Sequence, residues 1–184
     1  MLTQHSAQHR LQSDASPAAG RPVSQAVGRL LVDQEKQRKG KMDTLTHAEK
    51  ESIEEEIKKA IGDLIQGCET LDMDMAFGMF SNSPDFLMIG TDGTYCDYNT
   101  YLGNNIDYLK TCSNFKLTTH GKKIRILDRN TAIYSWSYGA EATLKTGERD
   151  IIEKAGASFV FRRMGDEWKV VYYHEASVPP TRLS

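Results

Sequence analysis

No aromatic residue occurs before Phe77 in this 184-residue chain, although the sequence holds two Trp, eight Tyr and six Phe. Folded interiors lean on aromatic burial, so the N-terminal stretch does not read as core. Residues 1–41 are rich in Gln, Ser, Ala, Gly and Pro, then charged from Asp33 to Lys41. That composition does not sustain a packed interior. Within it, only Val23, Val27, Leu30 and Leu31 are spaced as an amphipathic helical piece, and they would need a surface to lie on. Met42, just ahead of the first well-formed element, is an alternative start. The expected organisation is a poorly structured tail over 1–44, one domain over 45–178 and a short C-terminal tail over 179–184.

Other absences narrow the function. The three cysteines, Cys68, Cys96 and Cys112, are odd in number and form no CxxC pair. This argues against a zinc knuckle or a thioredoxin-like site and favours reduced thiols in a cytoplasmic protein. No apolar run approaches the roughly 20 residues of a membrane helix, and no secretory apolar stretch is present. The Arg- and Ser-containing N-terminus faintly resembles an organellar presequence, but Pro17, Gly20 and Pro22 would interrupt its helix. A formal charge of −2 lacks the basic footprint of nucleic-acid binders. GxSxG, phosphate-loop, GxGxxG, HExxH and DxDxDG patterns are all missing. His47, His120 and His174 are far apart, and Asp72 and Asp74 suit a helix start better than a metal site. Neither a metal nor a cofactor is expected.

What is present becomes legible at Thr46. Thr46-His47-Ala48-Glu49 has capping-box spacing. Behind it Ile53, Ile57, Ile61, Leu64, Ile65 and Cys68 recur on one helical face, opposite Glu54, Glu55, Lys58 and Lys59. Asp72 predicts the N-cap of a second helix running to Phe80 and stopped by Ser81-Asn82-Ser83-Pro84. Asp85–Gly90 reads as a short strand ending in the Thr91-Asp92-Gly93 turn, and Asp97 as the cap of a third helix carrying Tyr101, Leu102, Ile106 and Leu109. Four strands follow, near 114–127, 131–145, 149–164 and 168–177, separated by polar hairpin turns. Helices first and a long antiparallel meander afterwards define an α+β class.

This order of elements resembles the nuclear transport factor 2-like superfamily, the SnoaL-like and ketosteroid-isomerase-like domains. The residues that carry the likeness are LDMDMAFGMF (71–80), FLMIGTDG (86–93) and above all FVFRRMGDEWKVVYYHEAS (159–177). The last segment is also similar to the closing strand of the calcium/calmodulin-dependent protein kinase association domain. The resemblance covers roughly 48–178 and implies a cystatin-like roll: a cone-shaped antiparallel sheet with helices on its concave side, a central pocket and a dimerising convex face. The kinase domain places basic residues in its pocket, but Phe159 and Glu175 fall at two of their places here, so its anion-binding chemistry is not carried over.

Strand alternation sorts the candidate site residues. Lys169, Val171, Tyr173 and Glu175 share one side of the last strand; Trp168, Val170, Tyr172 and His174 share the other. The resemblance turns Trp136, Phe159, Phe161, Tyr173 and Glu175 inward. Such a face suits a flat, hydrophobic ligand, with Trp136, Tyr134, Tyr138, Phe159 and Phe161 as walls. Glu175 is the candidate general base, Tyr134, Tyr138 or Tyr173 would donate to an enolate oxygen, and His174 either lines the pocket or is structural. Two functions remain open. One is a cofactor-independent isomerase, cyclase or dehydratase; the other is a non-catalytic oligomerisation or adaptor module like the kinase association domain, with a homodimer as the expected assembly. Nucleic acid and membrane are not expected partners.

Overall fold

The computed structural model describes residues 45–184. The expected tail over 1–44, with its Val23–Leu31 piece, lies outside the described residues. Helix α1 (His47–Thr70) starts with the predicted capping box: the Thr46 hydroxyl accepts from the Glu49 amide at 3.2 Å, and Glu49 accepts from the Thr46 amide at 2.7 Å. Its Ile53, Ile57, Ile61, Leu64 and Cys68 are buried, so the 3.6-residue period is the face that meets the sheet. The helix ends at Leu71, a non-glycine residue in the left-handed region (φ 57°). The amides of Leu71 and Asp72 close that end by donating to Cys68 and Gly67 carbonyls. Gly67 is required where it stands, because a Cβ there would lie 2.3 Å from the Ala76 amide nitrogen.

Helix α2 (Met73–Phe77) is capped by Asp72 as expected but stops three residues earlier than predicted. The backbone beyond it is claimed by the sheet. Val170 N–H donates to the Met79 carbonyl at 2.8 Å, and Ser81 N–H donates to the Val170 carbonyl at 2.9 Å. Strands β1 (Leu87–Ile89) and β2 (Tyr95–Cys96) form a small hairpin, and Asp97 caps α3 (Tyr98–Thr111) through a 2.8 Å bond from Thr100. The meander comprises β3 (Cys112–Asp128), β4 (Thr131–Leu144), β5 (Arg149–Met164) and β6 (Glu167–Ser177). The sheet order is β2-β1-β6-β5-β4-β3. The expected C-terminal tail contains a further strand, β7 (Thr181–Leu183), which pairs with Arg149–Ile151 of β5 just past the end of β6.

One-residue bulges curve this sheet and change which residues face inward. Val171 is extra on β6, between the Val160↔Tyr172 and Phe161↔Val170 pairs. Trp168 and Val170 therefore share the inner face with Tyr173 and Glu175, and strict alternation, which separated them, is corrected. On β5, Glu153 and Lys154 both oppose Gly139 of β4. Inward residues change there from Asp150 and Ile152 to Ala155, Ala157, Phe159 and Phe161.

One end of the curved sheet is packed solid by Ile53, Ile57, Tyr134, Phe161 and Val170. Two ion pairs fasten α1 over that end: Arg129 with Glu49 at 3.0 Å and Arg163 with Glu56 at 2.9 Å. Arg163 also lies 4.8 Å over the Trp168 ring. No described helix is long and apolar enough to cross a membrane.

Candidate functional site

The other end is hollow. A chamber of about 480 Å³ opens between the C-terminal half of α1, the inner side of α3 and the far halves of β4, β5 and β6. Its walls are mainly apolar and aromatic, among them Leu64, Phe77, Trp136, Phe159 and Ile152. Trp136 and Tyr138, two apart on β4, stack at 4.1 Å between centroids, while Phe159 and Tyr173 stack across the β5–β6 pair at 4.7 Å. The Trp136 indole N–H donates to Thr119 at 3.0 Å, which fixes that ring against β3.

Two polar clusters interrupt this lining, one inside the chamber and one at its rim. Tyr173 and Glu175 alternate onto the inner face of β6, and the Tyr173 hydroxyl donates to Glu175 Oε2. Tyr138 faces the same space from β4, close enough that the Glu175 charge acts on its phenol. Tyr101 enters from α3, its ring 5.5 Å from that of Tyr173. Burial, and then the Glu175 charge, raise the phenol pKa values of Tyr101, Tyr138 and Tyr173 above the usual 10.0. These phenols are consequently neutral hydrogen-bond donors throughout the neutral range.

The same burial makes stability depend on pH. An unfolded chain ionises these tyrosines near pH 10 while the folded chain holds their protons, so their contribution is intact below pH 10 and lost above it. Urea unfolding at about pH 9 and about pH 11 should show a lower midpoint at the higher value, with part of the phenolate absorbance appearing only on unfolding. A midpoint unchanged over that interval would count against buried phenols.

At the rim, Asp150 of β5 receives Arg182 of β7 in two bonds of 2.6 and 2.7 Å and the Tyr108 hydroxyl at 3.1 Å. The arginine and the phenol together hold the Asp150 carboxyl below its ordinary range. Cys68 also lines the chamber, but burial pushes its thiol up to about 12, which keeps it protonated and unreactive. Among the described residues, no group of three or more His, Cys, Asp or Glu side chains is placed to hold a metal ion.

Of the residues singled out from sequence, Glu175, Tyr173, Tyr138, Trp136 and Phe159 line the chamber together. Tyr134 and Phe161 do not: they point inward but belong to the packed end, where both are almost wholly buried. His174 is exposed, on the opposite face of β6 from its two neighbours. Tyr101, Cys68 and the Tyr108–Asp150–Arg182 cluster were missed, because only tertiary packing brings α1, α3 and β7 to the chamber. The Asp97-capped helix was the one signal available, as it placed Tyr101 on the same face as Leu109.

The chain belongs to the SnoaL-like domain family, whose model matches residues 57–180. No protein of curated function matches it in sequence. Solved structures share its fold at low identity. One is a nuclear transport factor 2-like superfamily protein from Salmonella enterica serovar Typhimurium, with 18% identity, a TM-score of 0.62 and coverage of 71% of this chain and 93% of that one. A candidate scytalone dehydratase from Novosphingobium aromaticivorans matches at 9% identity and a TM-score of 0.66, over 76% and 93%. A hexachlorocyclohexane dehydrochlorinase from Novosphingobium barchaimii matches at 12% and 0.60, over 76% and 95%. These likenesses, and the description of another neighbour as cystatin-like, agree with the α+β roll expected from the order of elements.

Proposed function

We propose that this protein binds a small, flat, hydrophobic carbonyl compound and catalyses proton transfer on it without a cofactor, as an isomerase, cyclase or dehydratase. The observation that carries this reading is the placing of the Glu175 carboxylate, which accepts from Tyr173, beside the buried phenols of Tyr101 and Tyr138 in a chamber whose walls are mainly apolar and aromatic. Glu175 takes a proton from the carbon next to the carbonyl. The C–H electron pair passes into the enolate, and the new negative oxygen accepts a hydrogen bond from Tyr138. Tyr173 is a positioning residue that holds the carboxylate. The proton then returns from Glu175 to another carbon, or to a departing β-hydroxyl that leaves as water. Similarity to the dehydratase and dehydrochlorinase folds supports this class of chemistry without specifying the substrate.

The reading is tested with 2-tetralone, a flat ketone with exchangeable α-protons, followed by NMR in deuterated buffer. The protein is expected to bind it and to speed deuterium uptake well above buffer. Binding without faster uptake would remove the catalytic half of the proposal, and no binding would remove all of it.

A second reading, homodimerisation through the convex face, is favoured by a cross-strand row of Ile133, Val160 and Tyr172 on the side opposite the chamber. Light scattering at micromolar concentration should then report twice the chain mass, and Val160→Glu should return it to one. A wild-type monomer would end this reading.

A further inference from the structure

A second hollow of about 330 Å³ adjoins the chamber, between α3 and the β1–β2 hairpin, and its chemistry is different. Tyr101, Asn105 and Glu175 line both spaces, so the carboxylate stands at the junction. Beyond that shared wall the annex is more polar than the chamber, with Asp92, Thr94 and Asn104 set beside Met88 and Cys96. No Lys, Arg or His lines it, whereas two carboxylates do.

Asp92 is already satisfied: it accepts from the Thr94 amide at 2.9 Å and from the Thr94 hydroxyl at 2.8 Å. Those bonds lower its pKa and keep it anionic. Asn105 anchors its amide N–H on the Tyr101 carbonyl at 2.8 Å, which leaves its side-chain oxygen as an acceptor. Asn104 is exposed and offers both donor and acceptor.

We propose that the ligand has two parts: a flat apolar body in the chamber and a neutral, hydroxyl- or amide-bearing arm in the annex beside Asn104. An anionic arm would face Asp92 and Glu175 with no cation to offset them. An ammonium arm would pair with Glu175 and remove it as a base. A neutral arm with donors and acceptors matches the two asparagines and leaves the carboxylate free. The reacting carbon then sits where body and arm join, next to Glu175. This inference rests on the chamber being a ligand site, and it adds the class of substrate.

Binding of four naphthalene probes to the full chain, measured by calorimetry, tests it. The probes are 2-naphthol, 2-naphthyl β-glucoside, 2-naphthyl phosphate and 2-(2-naphthyloxy)ethylamine. The glucoside should bind about five- to tenfold more tightly than naphthol, the gain of one or two hydrogen bonds. Phosphate and amine should bind no better than naphthol. Asn104→Trp, a change at an exposed helix position, should erase the glucoside gain and leave naphthol binding unchanged, while Asn104→Gln should keep most of it. A glucoside that binds no tighter than naphthol, a gain that survives Asn104→Trp, or a charged probe that binds tightest overturns the annex assignment alone. Failure of naphthol itself to bind overturns the chamber reading as well.

Discussion

Glu175→Gln should abolish the protein-dependent deuterium uptake of 2-tetralone while leaving its binding within about twofold. The amide has the shape of the carboxylate and still offers an oxygen to the Tyr173 hydroxyl, so the chamber keeps its form. It cannot accept a proton at neutral pH, and loss of a positioned base lowers the rate by about 10²- to 10⁴-fold. Tyr138→Phe separates the two roles. It removes the donor to the enolate oxygen and should cost about a hundredfold, with the base intact. If Glu175→Gln exchanges at the wild-type rate, the base is another group, and Asp150 at the rim becomes the next residue to change.

The largest effect on stability is expected from Phe161→Ala. Phe161 is fully buried in the packed end, between Ala132 of β4 and Val170 of β6. Truncation leaves a void that neighbours held by α1 cannot fill, and such Phe→Ala changes cost about 3–5 kcal/mol. Phe159, two residues away and equally buried, gives the contrast. It borders the chamber, so Phe159→Ala enlarges an existing hollow and should admit bulkier ligands for a smaller loss of stability. Urea unfolding of both variants, with naphthol titration of the second, checks the pair. Equal losses would mean that the two ends of the roll are packed alike.

The capped helix, the hairpin turns and the four long strands were legible because each rests on local chemistry. Thr46 with Glu49, Asp97 with Thr100 and the polar residues at 128–130 and 145–148 act over two or three positions. The aromatic alternation of Tyr134, Trp136 and Tyr138 was legible for the same reason. Whether an inward aromatic lines a hollow or fills it was not, since that depends on how far α1 reaches along the sheet. Tyr134 and Trp136 share the inner face of β4, yet one lies in the packed end and the other lines the chamber. The cluster at Asp150 was hidden because its partners come from α3 and from three residues at the C-terminus. His174 illustrates the opposite case: alternation alone put it across the strand from Glu175, and it is exposed.

The bulge at Val171 has a consequence for how this domain tolerates changes in length. A regular strand that loses one residue turns its downstream side chains inside out. β6 carries one residue more than its partner needs, so loss of Val171 would straighten the strand and keep Tyr173 and Glu175 facing the chamber. The same holds for one of the two β5 residues opposite Gly139. At these two points the sheet has slack. A single-residue deletion can be absorbed there, while the same deletion at Tyr173 would bring His174 into the chamber in its place.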